Sequence, residues 1–385
     1  MNVRRFGSYY SDLRYTAERA REVYKHYYYL HYPNDEGEWG RPKRLGALYP
    51  RLQELGAVFG VKNGWERANY FELDKSWRSA GAEQRKWGWG HPPHFDLIGE
   101  EHKAVRERVG LLDMTSFGKI EVRGSGALDL LQRLACNNID KPVGSLTYTQ
   151  FLNERGGIES DLTIARLGKE HFRVVTGTSF ATSDFGWIRL HMPEDGSVEI
   201  KDVSNDWVVL SMWGPRARDV LQTVTENNVS NEAFPYMTAQ AIKIGDVDVW
   251  AQRVSYAGEL GWEMYIAPEQ AVSAWDTLME AGQEFGIQPV GYKALDSLRL
   301  EKGYRYWSAD ITPSENSYEA GMGFVVRMKS GGDFIGRQAL LKVKEEGIQR
   351  RLCTLTLDDK SCVIYGGGAV YCKDKLVGRV TSGGF

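Results

Sequence analysis

A chain of 385 residues exceeds the usual single-domain range of roughly 100 to 200 residues, so two or three domains are expected. With 42% hydrophobic and 26% charged residues it has the make-up of a globular protein, not of a disordered or fibrous one. A net charge of -3 without any long Lys/Arg run argues against a nucleic-acid partner, and no apolar stretch approaches the roughly 20 residues of a membrane span, so no membrane partner is expected and the cytoplasm or an organelle matrix such as the mitochondrial one is.

Residues 1–92 differ in pattern from the rest of the chain: an amphipathic charged helix over 17–28, Gly- and Pro-punctuated loops, then the aromatic GWERANYF of 64–71. This segment reads as a connecting or cap piece. From His94 a regular pattern begins, with a helix over 97–109, a strand over 118–122, and a helix opening at Ser125 and running through ALDLLQRLA. TYTQFLN, a Gly-Gly turn at Gly156 and Gly157, DLTIARL and FRVVTG together read as an antiparallel meander. WVVLSMWG at 207–214 is an apolar strand followed by a helix from Pro215, as helix starts favour proline in their first turn. The same order returns with VDVWAQRVSY and then PEQAVSAWDTLMEAGQEFG, where Gly286 stands at the helix stop. Repeated units of this kind predict an α+β fold, antiparallel sheets covered by helices on one face, and disfavour a doubly wound nucleotide fold. After Arg350 the stretches RRLCTLTL, GGAVYCK and KLVGRVTS are β-rich, with too few strands to close a barrel alone, and the abrupt end at Phe385 suggests that the natural protein continues.

Several chemistries are disfavoured. Cys136, Cys353, Cys362 and Cys372 form no CxxC pair and read as small buried hydrophobes. Of the seven histidines only His91 and His94 are close in sequence, and His91-Pro-Pro-His94 reads as a stiff loop, so no metal site is expected. GSGALD at 124–129 and GMGFVV at 321–326 both lack the third glycine of a dinucleotide fingerprint, and no Walker A sequence occurs, so FAD, NAD or ATP bound by those routes is not expected. There is no G-x-S-x-G elbow either. With no obvious nucleophile, catalysis would rest on positioning and electrostatics.

Three stretches carry candidate chemistry. In NERGGIESDLTIARL at 153–167 two glycines permit a turn, and Asp161 follows at a strand start, where it either faces a pocket or simply caps the turn. In RVSYAGELGWEMYI at 253–266, Tyr256, Glu259 and Glu263 lie on a Gly-broken strand, and period two would put Glu259 and Glu263 on one face of an unbroken one. A carboxylate in an apolar pocket suits a ring with adjacent N–H donors, because it accepts two parallel hydrogen bonds; an exposed glutamate on an edge strand is the equal alternative. GYKALDSLRLEKGYRYWSAD at 291–310 is a helix and an aromatic loop that carries Trp307 and Asp310, in which Arg299 and Glu301 are expected to form a structural ion pair more readily than Arg299 to hold a ligand.

These stretches, with LLDMTSFGKIEVRG, SMWGPRARDVL, SYAGELGWE, DSLRLEKGYRYW, EAGMGFVV and FIGRQAL in order, resemble the aminomethyltransferase family, the T-protein of the glycine cleavage system. The likeness is nearest to the folate-binding half of dimethylglycine and sarcosine dehydrogenases and dimethylglycine oxidase. EWGRP at 38–42 and GWERANYF look like the tail of the flavoprotein half of those fused enzymes. The resemblance implies a ring-like aminomethyltransferase fold, with a ferredoxin-like portion, the start of a C-terminal β-barrel, and folate in a central channel. It divides the chain into a linker or cap at 1–92, a folate-binding domain at 93–345 and an incomplete barrel domain at 346–385.

Carried over by position, the resemblance implies that Asp161 is the catalytic aspartate, with Ser160 where many relatives have a second acid and Glu159 as a reserve. It implies that Glu263 binds the pterin and that Tyr256 shapes the pocket, with Trp307 and Arg299 as further cofactor-binding candidates and Lys293 where some relatives have arginine. The implied cofactor is tetrahydrofolate, with FAD held not by this chain but by a flavin oxidoreductase subunit or domain. The implied substrate is a small N-methylated amine, or the iminium or formaldehyde derived from it, whose carbon is captured as 5,10-methylenetetrahydrofolate. Two other readings stay open: direct methyl transfer to folate from an N-, O- or S-methyl compound, and a noncatalytic regulatory subunit of the same fold.

Overall fold

The computed structural model describes residues 7–33, 35–73, 88–329, 332–359 and 361–384. The expected cap segment is thus covered in part, since its residues 1–6, 34 and 74–87 lie outside the described residues, as does Phe385. The first helix, α1 (Leu13–Lys25), starts four residues before the expected one because the Asp12 carboxylate accepts the free N–H groups of Arg14 and Tyr15 at 3.0 and 3.2 Å. A short helix α2 (Tyr49–Glu54) leads into a hairpin, β1 (Ala57–Lys62) and β2 (Trp65–Phe71). Leu48, Leu52, Ala68 and Phe71 from this region are buried in the same apolar cluster as the main sheet.

Two sheets dominate. The first has six strands, in the order β10 (Ala239–Ile244), β11 (Val247–Gln252), β12 (Gly261–Ile266), β9 (Val208–Trp213), β3 (Val109–Asp113), β13 (Ile287–Pro289). All neighbours are antiparallel except β13, which runs parallel to β3. The second has five, in the order β5 (Leu146–Leu152), β6 (Ile158–Gly168), β7 (His171–Thr176), β4 (Gly118–Arg123), β8 (Glu199–Asp202), antiparallel throughout.

Side chains alternate across a strand, so each sheet has an outer and an inner face. On the six-stranded sheet Val208, Leu210, Met212, Trp262, Met264 and Ile266 point outward. There they pack on α6 (Ala217–Val224) and α7 (Ala271–Ala281). On the five-stranded sheet Ile120, Val122, Leu162, Ile164, Phe172 and Val174 pack on α4 (Ala127–Leu134) and α5 (Ala181–Leu190). Burying each such side chain contributes about 1.5–3 kcal/mol. The inner faces meet in a third cluster, where Val175 of β7 packs with Val209, Trp213 and Tyr265 of the other sheet. Two helices close this layer, α3 (Phe95–Glu107) and α8 (Tyr292–Glu301), through Val105, Leu295 and Leu298. The α+β class and the helix-backed antiparallel sheets are therefore as the sequence indicated.

Some expectations need correction. The helices expected from Ser125 and Pro215 start two residues later, behind Gly126 and Arg216. Gly286, at φ 72°, ends a 3-10 turn at Gln283–Phe285, whereas α7 itself stops at Ala281. Of the C-terminal stretches only a hairpin forms, β14 (Ala369–Cys372) with β15 (Lys375–Arg379); residues 350–357 join no strand among the described residues, because an extended run needs a ladder partner. Little apolar material covers this end, so Cys353, Cys362 and Cys372 are exposed and only Cys136 is the buried hydrophobe expected of all four.

The Gly-Gly turn joins β5 to β6. Gly156 has φ +80°, and a Cβ on Gly157 would lie 2.0 Å from the Pro313 carbonyl oxygen. Since a left-handed residue with a side chain costs about 1–2 kcal/mol, Gly156→Ala is expected to lower stability by that amount. Urea unfolding would read it as a lower midpoint at unchanged slope.

Candidate functional site

Asp161 lies on β6 directly opposite Gln150 of β5, on the inner face of the five-stranded sheet. The Tyr148 hydroxyl donates to its Oδ1 at 2.7 Å and the Gln150 amide to the same atom at 3.3 Å. The amide is itself oriented, because its oxygen accepts from the Ser317 hydroxyl at 2.7 Å, which leaves its NH₂ for Asp161. Oδ2 accepts no hydrogen bond among the described residues. Burial pushes this carboxyl up to about 6, against the bonds from Tyr148 and Gln150 and the positive charge of Arg305.

The alternative role for Asp161, capping the turn, is filled by another residue. Asn153 Oδ1 accepts from the backbone N–H of Arg155 and of Gly157, both at 3.0 Å. Its amide also donates to Glu159 Oε1 at 3.0 Å. Ser160, on the opposite face, donates to a different, buried carboxyl, Asp184, at 2.7 Å, whereas Asp161 is half-buried. Thr176 donates to Asp184 at 2.5 Å, and burial raises it to about 7.

Glu263 stands on the inner face of the other sheet, on β12, with Ser211 opposite on one side and Gln252 on the other. Burial alone pushes its carboxyl up to about 7. It is half-buried, and among the described residues it has no hydrogen-bond or ion-pair partner, whereas the buried Asp184 has two donors. The strand begins only at Gly261, so Glu259 does not share its face as the unbroken-strand reading required; it sits in the preceding turn and pairs with Arg106 at 2.8 Å.

The remaining candidates line the loop that follows α8. Tyr256 donates to the Arg305 carbonyl oxygen at 2.6 Å and stacks on Tyr304 at 6.0 Å, and burial raises its hydroxyl. Trp307 donates from its indole to the Ile158 carbonyl oxygen at 3.0 Å, which ties the loop to the start of β6. Arg299 is 3% exposed and fully occupied: it reaches Asp296 at 2.8 Å, Asp310 at 2.7 Å and Ser382 at 2.9 Å. The expected Arg299–Glu301 pair does not form, because residues two apart project from different sides of a helix; Glu301 pairs with Arg106 at 2.7 Å instead. Lys293, in the first turn of α8, has its ammonium pulled down by burial.

His94 is buried and stacks on Tyr70 at 4.4 Å, while His91 meets Phe95 edge-on at 4.3 Å. Among the described residues no cluster of His, Cys, Asp or Glu is arranged to hold a metal, and no helix is long and apolar enough to cross a membrane.

The sequence reading missed Tyr148, Gln150 and Ser317. The first two lie on a strand the sequence did indicate, but counting outward from the Gly-Gly turn sets Gln150 against Ser160; a bulge between Phe151 and Leu152 shifts the register by one and brings Gln150 opposite Asp161. Ser317 comes from 167 residues away and left no local signal.

The arrangement matches known proteins. The family model described as GCVT N-terminal domain matches residues 48–330, and one described as FAD dependent oxidoreductase central domain matches residues 1–45. The chain is 37% identical over 385 residues to the 4-methylaminobutanoate oxidase (formaldehyde-forming) of Paenarthrobacter nicotinovorans, covering all of this chain and 46% of that protein. It is 34% identical over 387 residues to the mitochondrial dimethylglycine dehydrogenase of Homo sapiens, covering 44% of it. The chain thus spans less than half the length of these relatives. The crystal structure of glycine cleavage system aminomethyltransferase T from Bartonella henselae superposes with a TM-score of 0.71 at 25% identity, over 89% of this chain and 86% of that one.

Proposed function

Because the chain belongs to the aminomethyltransferase family of the GCVT N-terminal domain, we propose that it binds tetrahydrofolate and transfers a one-carbon unit to it. The carbon comes from oxidative demethylation of a small N-methylated amine of the dimethylglycine or sarcosine type and leaves as 5,10-methylenetetrahydrofolate. The names of the two long relatives, one formaldehyde-forming and one a dimethylglycine dehydrogenase, support the methylene route. The match of residues 1–45 to a flavin oxidoreductase domain supports a flavoprotein portion or partner as the source of the oxidised amine. On this reading residues 1–92 connect to that portion, 93–345 hold folate, and 346–385 begin a further β domain.

The observation that carries the proposal is Glu263, a half-buried carboxyl with no partner among the described residues, on the sheet that faces Asp161. Such a group needs a donor pair from outside the chain, and a pterin ring offers adjacent N–H groups. Bound tetrahydrofolate supplies the nitrogen atoms that take up the carbon. Tyr256, held by the Arg305 carbonyl and Tyr304, and Trp307, held by the Ile158 carbonyl, fix the aromatic wall. Arg299 acts through Asp310, which in turn accepts from the Tyr306 backbone N–H at 2.9 Å and so sets the loop. Asp161 accepts a proton at Oδ2 and, when ionised, stabilises positive charge on nitrogen. Holding the reactants together supplies roughly 7–11 kcal/mol of barrier reduction, so a site with no nucleophile suffices.

Calorimetric titration with 5-formyltetrahydrofolate tests the reading. Micromolar or tighter binding is expected, and a folded protein that binds none would overturn it. Product analysis then distinguishes methylene from methyl transfer.

The proton role of Asp161 has its own signature. The rate should fall as pH drops through about 6, where the carboxylate is protonated. Tyr148→Phe removes a bond that favours the ionised form, so the acid limb of the pH–rate profile should move to higher pH. An unmoved limb would exclude Asp161 as the titrating group.

A further inference from the structure

Glu263 belongs to a row of unpaired polar groups. Strand register sets Gln252 opposite it on β11 and Ser211 opposite it on β9, and alternation turns all three to the inner face. Gln252 is 1% exposed, and neither its amide nitrogen nor its amide oxygen has a hydrogen-bond partner among the described residues. Ser211 is 0% exposed, and its hydroxyl is equally unpartnered. Two residues along the same face, Trp250 and Tyr265 oppose each other with an indole N–H and a phenol hydroxyl in the same condition.

Buried polar atoms are paired in about nine cases of ten, and each left unpaired costs about 1–3 kcal/mol. A fold does not gather four such side chains beside the partnerless Glu263 on three adjacent strands unless something else meets them. Cross-strand neighbours have Cβ atoms about 4.5–5.5 Å apart, so Gln252, Glu263 and Ser211 form a continuous edge that one flat ring can span.

Glu263 fixes the middle of that edge with two acceptors. At the flanks the Gln252 amide and the Ser211 hydroxyl can each donate or accept, and the proposed arrangement has both donating. The complementary ligand edge reads acceptor, donor, donor, acceptor. A 2-amino-4-oxo pyrimidine has that order in N1, the 2-amino group, N3–H and the 4-oxo oxygen. A 2,4-diamino ring does not, since its N3 is an acceptor and its 4-substituent a donor. Resting on the folate reading above, we propose that Gln252 and Ser211 are specificity-determining residues, which donate to the two ring acceptors flanking the N–H pair taken by Glu263.

The test is calorimetric titration of the whole chain and of Gln252→Met, Ser211→Ala and Glu263→Ala with 5-formyltetrahydrofolate and its 4-amino-4-deoxy analogue. The unaltered chain should prefer the 4-oxo ligand by tenfold or more. Gln252→Met and Ser211→Ala should each raise Kd for the 4-oxo ligand by about 3- to 30-fold, the worth of one hydrogen bond lost in a buried site. One of the two should also narrow the preference over the 4-amino analogue. Loss of folded protein would appear as reduced stoichiometry and not as raised Kd. Unchanged Kd in both variants, with binding abolished in Glu263→Ala, would overturn this inference and leave the folate reading intact. Absence of binding by the unaltered chain would overturn both.

Discussion

Replacing Asp161 by asparagine is expected to lower one-carbon transfer by roughly 10²- to 10⁴-fold while leaving the affinity for a reduced folate within a few-fold of its original value. The amide keeps the shape of the side chain, and its oxygen still accepts the Tyr148 hydroxyl now found at 2.7 Å. What it loses is the negative charge and the ability to take a proton at Oδ2. The carboxyl is raised to about 6, close to working pH, so it is ionised for most of the population and yet basic enough to accept a proton. A large fall in kcat with little change in Kd would be the mark of an interaction made in the transition state. The measurement is the rate of carbon capture from formaldehyde above the uncatalysed condensation, and full retention of that rate would remove Asp161 from the mechanism.

The second large effect is expected at Glu263. A hydrogen bond to a charged group contributes about 1.5–3 kcal/mol, so two parallel bonds from a ring edge to this carboxylate should be worth a factor of 10² or more in Kd, and Glu263→Ala should forfeit it. The affinity should depend on pH in a defined direction. Without ligand the carboxyl titrates at about 7, and only the ionised form accepts both donors. Below that pH, binding must first expel a proton, so Kd should rise by up to about tenfold per unit as pH falls, and the slope should vanish in Glu263→Ala.

The same shift has a cost in the ligand-free fold. A carboxyl raised from 4.5 to about 7 on folding favours the folded state at low pH and loses that advantage as pH climbs from about 4.5 through 7, on the order of 2–3 kcal/mol. The ligand-free chain should therefore be less stable at pH 8 than at pH 5 through this group, and saturating folate should recover the difference. A thermal midpoint difference between the two pH values that is identical in Glu263→Ala would contradict this.

Local sequence determined the elements. Alternation in VVLSMW and in DLTIARL marks strands with one core face each, the Gly-Gly pair specifies a turn that side chains resist, and the apolar spacing of ALDLLQRLA specifies an amphipathic helix. The candidate acids, Asp161 and Glu263, could be singled out because their sequence neighbourhoods resemble a known family, although nothing local distinguishes a pocket carboxylate from a turn cap or an edge-strand glutamate. Tertiary structure alone excluded the turn cap and the edge strand. It showed Asn153 capping the turn, Arg106 claiming Glu259, and Asp296 and Asp310 claiming Arg299, while Glu263 was left with no partner among the described residues. Whether a carboxylate is structural or waits for a ligand depends on which groups distant strands bring against it, and on how far they exclude water. Hydrogen bonding and desolvation across the two sheets therefore set the chemistry of this site, and neither is a property of the local sequence.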